Sequence, residues 1–320
     1  MSSTATKTDT PRTLRLTNGK TFTFLSNQST TEEQIPLIDI SRMYSDKLED
    51  RQDLAEEVRD AAHNVGFFSM INHDVDLKLA TAVLDQAKEF FALPNGKKME
   101  VRTDLIPDEY CGYHPMEGYN PNGWKRRDLY EAFNWNYNPA KDPDYPDLSI
   151  PQINLWPKDT PVFEETLCRY QTQMILFARK LTRMFALALH MPEDAFDDYV
   201  KRPEAGMRVV HYPQQEASRD DQNGIGAHTD VECFTIIISD GTAGLADGSN
   251  TIHRVINESG RERYSAPFFW GFDRETLLNP IPTCVSEENP PKYPLMTAGE
   301  YYLWRTRGQK KLWKIGDAHQ

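Results

Sequence analysis

His228 and Asp230 are the residues whose types and spacing point most directly to chemistry. They flank Thr229, just before the apolar run Cys233-Phe234-Thr235-Ile236-Ile237-Ile238. Because side chains alternate faces along an extended chain, the imidazole and the carboxylate point the same way. A second imidazole, His253, precedes another apolar stretch. Two histidines and one carboxylate on one face of an iron ion leave three positions open, as in non-haem Fe(II) oxygenases.

Arg263 and Ser265 form a second pair that alternation along a strand places on one face. A guanidinium grips a carboxylate through two parallel hydrogen bonds, and a hydroxyl adds a third. This pair suits the distal carboxylate of 2-oxoglutarate. Each motif alone has a simpler structural interpretation. His228 and Asp230 could be a hydrogen-bonded pair at the end of a strand, and Arg263 could be an exposed arginine at a sheet edge. A zinc hydrolase could use the same three ligands, but it would leave Arg263 and Ser265 unexplained.

Hydrophobic periodicity indicates the elements that must position these residues. Apolar side chains at helical spacing predict helices around residues 54–65, 80–90 and 163–184, the last being the strongest. Residues 67–71, 207–212, 233–238 and 264–270 are typical of strands. The aromatic, Pro- and Asn-rich stretch from 103 to 160 lacks periodicity, and a segment of this kind is more often a binding loop than a linker.

Composition excludes several classes of function. The chain has 320 residues, a net charge of -12 and 39% hydrophobic residues, so it can form a core and repels nucleic acid or an anionic membrane. Its four cysteines are widely spaced, which predicts reduced thiols. We find no signal peptide and no apolar run of membrane-spanning length. These features predict a cytoplasmic protein with a small-molecule substrate and no nucleic-acid or membrane partner.

Motifs along most of the chain resemble those of the isopenicillin N synthase-like family of Fe(II)/2-oxoglutarate dioxygenases. The similarity begins at Ile35-Pro36-Leu37-Ile38-Asp39 and Gly66-Phe67-Phe68, and continues through Arg208-Val209-Val210-His211-Tyr212-Pro213. It extends over Gly226-Ala227-His228-Thr229-Asp230, His253-Arg254-Val255 and Arg263-Tyr264-Ser265. Several linked motifs in the family's order make the resemblance specific.

The resemblance implies a mainly β fold with flanking helices, built on a double-stranded β-helix, or jelly-roll, core. It implies Fe(II), 2-oxoglutarate and O2 as cofactors, and His228, Asp230 and His253 as the catalytic metal ligands. Arg263, Ser265 and Tyr212 match the residues that bind the co-substrate. For Tyr212, a core aromatic residue with a satisfied hydroxyl is an equal alternative.

Domain boundaries follow from the same motifs. We expect a disordered tail at 1–31, an N-terminal dioxygenase region with substrate loops at 32–150 and a scaffold helix at 151–200. The dioxygenase core is expected at 201–308, and a second tail at 309–320. The sequence is silent on oligomeric state, and a monomer is the simplest expectation.

The chain departs from the family between Asp230 and His253. Only 22 residues separate them, about half the usual number, which indicates an internal deletion of roughly two strands. The segment Gly241 to Thr251 is rich in Gly, Asp, Ser and Asn, so we expect it to leave a gap in the barrel wall beside the metal. Whether the barrel closes is therefore left open.

The favoured hypothesis is an Fe(II)/2-oxoglutarate oxygenase that hydroxylates, desaturates or cyclises a small organic molecule, in secondary metabolism. One alternative is a 2-oxoglutarate-independent oxidase of the isopenicillin N synthase type, in which Arg263 and Ser265 hold the substrate's own carboxylate. The other is a shortened, inactive non-enzyme paralogue that keeps the ligands without a closed barrel.

Overall fold

The computed structural model describes residues 11–15, 21–25, 35–106, 109–116, 127–146, 153–215, 222–247, 252–257 and 259–306. Its longer helices are α1 (Leu48–Asn64), α2 (Leu77–Phe91), α3 (Asn95–Met99) and α4 (Pro161–Ala188). Residues 298–306 are also helical. The three helices predicted from hydrophobic periodicity are thus confirmed. Within the described residues, every helix falls short of the length or apolar character that a bilayer crossing needs.

Local chemistry sets where the helices begin and end. Asp76 begins α2, its side chain accepting hydrogen bonds from the backbone N–H groups of Lys78 and Leu79. Pro161 stands in the first turn of α4, where no intrahelical donor is lost. After α1 the chain turns at Gly66, whose φ of 86° lies in the left-handed region that glycine adopts without strain.

Twelve strands lie in the described residues. They are β1 (Pro11–Arg15), β2 (Thr21–Leu25), β3 (Leu37–Asp39), β4 (Ser69–Ile71), β5 (Gly112–His114), β6 (Glu131–Trp135), β7 (Met207–Tyr212), β8 (Ile225–His228), β9 (Phe234–Ser239), β10 (Leu245–Asp247), β11 (His253–Val255) and β12 (Arg263–Trp270). A five-stranded sheet has the order β5-β6-β7-β12-β9, and a three-stranded sheet has the order β10-β11-β8. All pairs in both sheets are antiparallel.

Two strands lie within the segment expected to be a disordered tail. Strands β1 and β2 pair antiparallel, Leu14 lying opposite Phe22. The expectation gave too little weight to Asn18-Gly19, a strong sequence signal for a tight hairpin, and to the β-branched threonines beside it. The prediction of a tail without regular structure was therefore wrong at residues 11–15 and 21–25.

The five-stranded sheet separates two apolar clusters. The larger lies between this sheet and the helices, where Phe90 of α2 stacks on Phe163 of α4 at 4.9 Å between ring centroids. The smaller contains Tyr130, Val210, Tyr212 and Val255 together with Ile225, and it fills the space between the two sheets. Helices therefore cover the outer face of the five-stranded sheet, and its inner face is available for a site.

The shortened connection shapes one side of the barrel. Its residues Leu245–Asp247 form β10 and pair with β11, although the composition of Gly241 to Thr251 does not favour strands. Residues 248–251 lie outside the described part. Strand β9 turns Phe234, Ile236 and Ile238 toward the helices, so Ile237 faces the interior, yet its side chain is 38% exposed. Among the described residues, β9 and β10 are edge strands, each without a further strand on its outer side.

Filling this side of the barrel should stabilise the fold. We expect insertion of about thirty residues of family-like sequence between Leu245 and Ser249 to raise the melting temperature. The reason is that two added strands would pair both sheet edges and cover Ile237. Calorimetry measures the melting temperature, and the fluorescence of a dye that binds exposed apolar surface should fall in parallel.

A Gly/Ser insertion of equal length at the same place is the matched control. It lengthens the connection without adding strand-forming or apolar residues, so it should leave the dye signal unchanged. Two results would show that no opening in the barrel lowers its stability. One is equal stabilisation by both insertions, and the other is an unaltered protein that melts cooperatively at high temperature and binds no dye.

Candidate metal centre

His228, Asp230 and His253 come together at one end of the three-stranded sheet. One ligand atom from each lies within 4.8 Å of the other two. The Nε2 atoms of both histidines are 3.6 Å from Oδ1 of Asp230. At that separation a single ion with bonds of about 2.0–2.2 Å can touch both atoms of each pair. The donor set, two imidazoles and one carboxylate, is the one that non-haem Fe(II) sites use.

Strand pairing places the two imidazoles side by side. His228 ends β8 and His253 begins β11, and antiparallel pairing sets the two residues opposite each other. Their ring centroids are 4.3 Å apart. The edge-on ring of Phe67, from the N-terminal part of the chain, packs 5.7 Å from His253. The N-terminal region thus helps to orient a candidate ligand.

The His228 ring is oriented and kept neutral by its surroundings. Its Nδ1 donates a hydrogen bond of 2.8 Å to the carbonyl of Gly226, which leaves the lone pair of Nε2 directed toward Asp230. Burial, and after it the neighbouring His253, lowers the pKa of His228 to about 4. At neutral pH the imidazole is therefore in the form that binds metals.

Neighbouring side chains hold the Asp230 loop. The hydroxyl of Thr235 donates to Oδ2 of Asp230, while Oδ1 faces the histidines. Arg305, in the helical stretch 298–306, donates through Nη2 to the carbonyl oxygen and to Oγ1 of Thr229, at 3.1 and 2.9 Å. The last described turn of the chain is thereby attached to the residue between two candidate ligands.

Arg263 and Ser265 lie together on β12, as the alternation predicts. Both are buried, and Nη1 of Arg263 is 3.2 Å from Oγ of Ser265. The Nε atom donates to the carbonyl of Thr242, which fixes the guanidinium. No carboxylate in the described part of the chain forms an ion pair with Arg263. A buried cation without a counter-charge is costly, so this side chain suits an anionic ligand.

Tyr212 lies opposite Arg263 on the neighbouring strand β7. Its ring centroid is 5.1 Å from Cζ of the guanidinium, and burial raises the pKa of its hydroxyl. Two glycines make room for this pair. A Cβ at Gly224 would lie 2.7 Å from the Tyr212 ring, and one at Gly244 would lie 3.1 Å from Cδ of Arg263. The six predicted site residues thus form two groups on the inside of one barrel.

Sequence reasoning missed several residues of this interior. Asp128 is buried beside the Tyr212 cluster, and burial raises the pKa of its carboxyl to about 7. The aromatic stretch contributes Tyr110 and Tyr130, and Arg208 extends between their rings. Arg208 begins a family motif, and its side chain faces inward at the same alternation as Tyr212, so the sequence could have marked it as a site residue. His211, the neighbour of Tyr212 on β7, lies on the outer face and forms a hydrogen bond with Glu131.

Known proteins are similar to this chain over most of its length. Residues 35–159 match the family model described as "non-haem dioxygenase in morphine synthesis N-terminal". The 2-oxoglutarate-Fe(II) type oxidoreductase ppzC of Metarhizium majus is 31% identical, with 81% of this chain and 83% of the relative covered. The chain belongs to the 2-oxoglutarate-Fe(II) oxidoreductases. The oxidoreductase hxnY of Emericella nidulans is 30% identical over 82% of this chain and 86% of its own.

A solved structure supports the fold of this oxidoreductase. A full-length Neurospora crassa protein, solved by crystallography in complex with alpha-KG, superposes with a TM-score of 0.72 at 21% identity. The match covers 87% of this chain and 99% of the Neurospora chain. The predicted family and the jelly-roll fold class are confirmed, and family membership confirms the predicted enzyme class with Fe(II), 2-oxoglutarate and O2 as its cofactors.

The alignment with ppzC also bears on the shortened connection. It runs over 312 residues but includes only 81% of this 320-residue chain. Because that share is fewer than 312 residues, the alignment contains positions that the relative fills and this chain leaves empty. Such positions are what an internal deletion produces.

Removing a ligand or its support should weaken metal binding to different degrees. We expect His253→Ala to remove most Fe(II) affinity, because it deletes one of three donors. Thr235→Val keeps the side-chain shape but removes the hydrogen bond to Asp230, and should weaken binding by about 10- to 100-fold. Anaerobic Fe(II) titration followed by calorimetry measures both.

His190→Ala is the matched control, because His190 is an exposed histidine remote from the three ligands in the fold. It should bind Fe(II) as tightly as the unaltered protein. Undiminished Fe(II) binding by His253→Ala would exclude this residue from the metal site.

Proposed function

We propose that His228, Asp230 and His253 bind Fe(II), and that Arg263 and Ser265 bind the distal carboxylate of 2-oxoglutarate beside Tyr212. The protein then oxidises a small organic molecule by hydroxylation, desaturation or ring closure. The observation that carries the proposal is the buried Arg263 guanidinium, which has no ion-pair partner among the described residues. It lies on the inner face of the barrel whose mouth holds the three ligands.

In this family, iron together with 2-oxoglutarate and O2 supplies the oxidising power. The residues of this chain would bind the metal and the co-substrate, orient them and shield them from water. His228 and His253 provide nitrogen donors, and Asp230 provides a carboxylate whose orientation the Thr235 hydroxyl holds. Arg263 pairs with one carboxylate end, Ser265 can donate its hydroxyl to the same group, and the Tyr212 ring covers the guanidinium.

Burial of the clamp residues is part of their role. In a water-poor interior an arginine–carboxylate pair is stronger than at the surface, and its planar geometry orients the bound molecule. A co-substrate anchored at Arg263 would extend toward the three ligands. The apolar residues Val210, Val255 and Ile225 exclude water from the space between.

Three finer parts of the proposal rest on the sequence. A cytoplasmic location fits the widely spaced cysteines, which indicate reduced thiols, and a monomer is the simplest state. A role in secondary metabolism fits a small-molecule oxygenase whose aromatic stretch, residues 103–160, is the kind of segment that carries substrate specificity on a common scaffold.

Arg263→Ala should weaken 2-oxoglutarate binding by about 10- to 150-fold, because a charge-assisted bidentate contact contributes about 1.5–3 kcal/mol. Fe(II) affinity should change little, since the guanidinium contacts no metal ligand. Anaerobic titration with Fe(II) and then 2-oxoglutarate, followed at the metal-to-ligand charge-transfer band, separates the two. Arg263→Lys, which keeps the charge but not the paired geometry, should fall between. Unchanged 2-oxoglutarate affinity in Arg263→Ala would exclude the clamp.

Succinate release distinguishes the alternatives. The proposed oxygenase should form succinate from 2-oxoglutarate as O2 is consumed, and the yield should fall in Asp230→Ala. Oxygen consumption without succinate would favour the 2-oxoglutarate-independent oxidase. Fe(II) binding with neither would favour the inactive paralogue.

A further inference from the structure

Arg208 places a second guanidinium inside the barrel, apart from the clamp. It lies on β7 at the same alternation as Val210 and Tyr212, whose side chains pack between the two sheets. Tyr212 is four positions beyond Arg208, about 13 Å along a strand that rises about 3.3 Å per residue. Since Tyr212 lies opposite Arg263, the two guanidiniums belong to different ends of the interior.

The end that holds Arg208 is the metal end. Strand β8 starts at Ile225, in the Tyr212 cluster, and proceeds to His228. Met207, the neighbour of Arg208 on β7, lies opposite Phe268 of β12. The next residue of β12, Phe269, lies opposite Thr235 of β9, whose hydroxyl donates to Asp230. Arg208 therefore borders the space beside the three candidate ligands, where a substrate must lie to be oxidised.

The contacts of Arg208 hold its guanidinium but do not neutralise it. Nε donates to Oδ1 of Asn134 at 2.9 Å, and Nη2 is 3.5 Å from the hydroxyl of Tyr110, a long contact. The rings of Tyr110 and Tyr130 lie 5.7 and 6.0 Å from Cζ. In the described residues no carboxylate forms an ion pair with it. A guanidinium has five N–H donors, so this one retains hydrogen-bonding capacity.

We propose that Arg208 binds a carboxylate of the substrate, so that the enzyme acts on a small organic acid. This proposal rests on the proposed function. A single guanidinium balances one negative charge, which suits a carboxylate better than a doubly charged phosphate monoester. The flanking tyrosine rings favour an apolar or planar body next to the acid group. Binding at Arg208 would hold that body beside the metal end of the barrel.

Matched acids and amides test the charge requirement. The probes are benzoate with benzamide and hexanoate with hexanamide, titrated into the anaerobic Fe(II)- and 2-oxoglutarate-loaded protein and followed by ligand-observed NMR. Each acid should bind at least about tenfold more tightly than its amide. In Arg208→Gln the preference should disappear, while 2-oxoglutarate affinity at the charge-transfer band stays within about twofold. Arg208→Lys should keep part of the preference.

Arg263→Gln is the matched control, because it removes the other interior guanidinium. It should lose 2-oxoglutarate affinity and keep the acid-over-amide preference. Equal binding of acids and amides to the unaltered protein, or a preference that survives in Arg208→Gln, would overturn the proposal. If Arg208→Gln fails to fold, Arg208→Lys decides. A folded Arg208→Lys variant with an undiminished preference for acid over amide would overturn the proposal, and a reduced preference would support it.

Failure of the proposed function gives a different result. The unaltered protein would then bind no 2-oxoglutarate at all. The acid-over-amide preference, measured with Fe(II) alone, would still test whether Arg208 binds the carboxylate. Arg208→Gln should abolish this preference, and Arg263→Gln should not.

Discussion

The antiparallel pairing of β8 with β11 is the constraint on which the candidate site depends. It sets His228 opposite His253, so two residues 25 positions apart in sequence present their Nε2 atoms to the same carboxylate oxygen. The lone pairs of three ligand atoms repel one another when no ion lies between them. The strand pairing is therefore needed to hold the three side chains together. The five-stranded sheet supplies the opposite wall, and the helices hold that sheet through an aromatic core. A shift of one residue in the β8–β11 register would turn a histidine to the other face.

Electrostatics gives the barrel interior its specificity. The chain carries a net charge of -12, yet two guanidiniums, those of Arg208 and Arg263, face inward without an ion-pair partner in the described part. Leaving cations inside a barrel destabilises the fold unless ligands compensate them. Each guanidinium is already oriented, by Asn134 or by the Thr242 carbonyl, so a bound carboxylate meets a preorganised partner. In the proposed function the negative net charge and the two inward guanidiniums would serve different purposes, repulsion between molecules outside and anion binding within.

The shortened connection shows how much of the barrel the site requires. Strands β7, β8, β11 and β12 carry all six candidate residues apart from Asp230, which follows β8 directly. In the described residues β9 is an edge strand of its sheet, and Ile237 on its inner face is 38% exposed. The three candidate ligands come together although this strand lacks a neighbour on one side. Any loss of stability then comes from the exposed Ile237 side chain and the unpaired strand edges rather than from the candidate ligands.

The sequence by itself determined the chemistry of the site and the main elements. Alternation along strands paired His228 with Asp230 and Arg263 with Ser265, and helical spacing located α1, α2 and α4, because these patterns depend only on local backbone geometry. The family motifs supplied His253 and the jelly-roll fold. Tertiary structure decided the rest. No local pattern reveals that β11 pairs with β8, that Gly224 admits the Tyr212 ring, or that Arg208 turns toward the metal end. These follow from which strands become neighbours across the barrel, and that choice is made by packing between residues far apart in the chain.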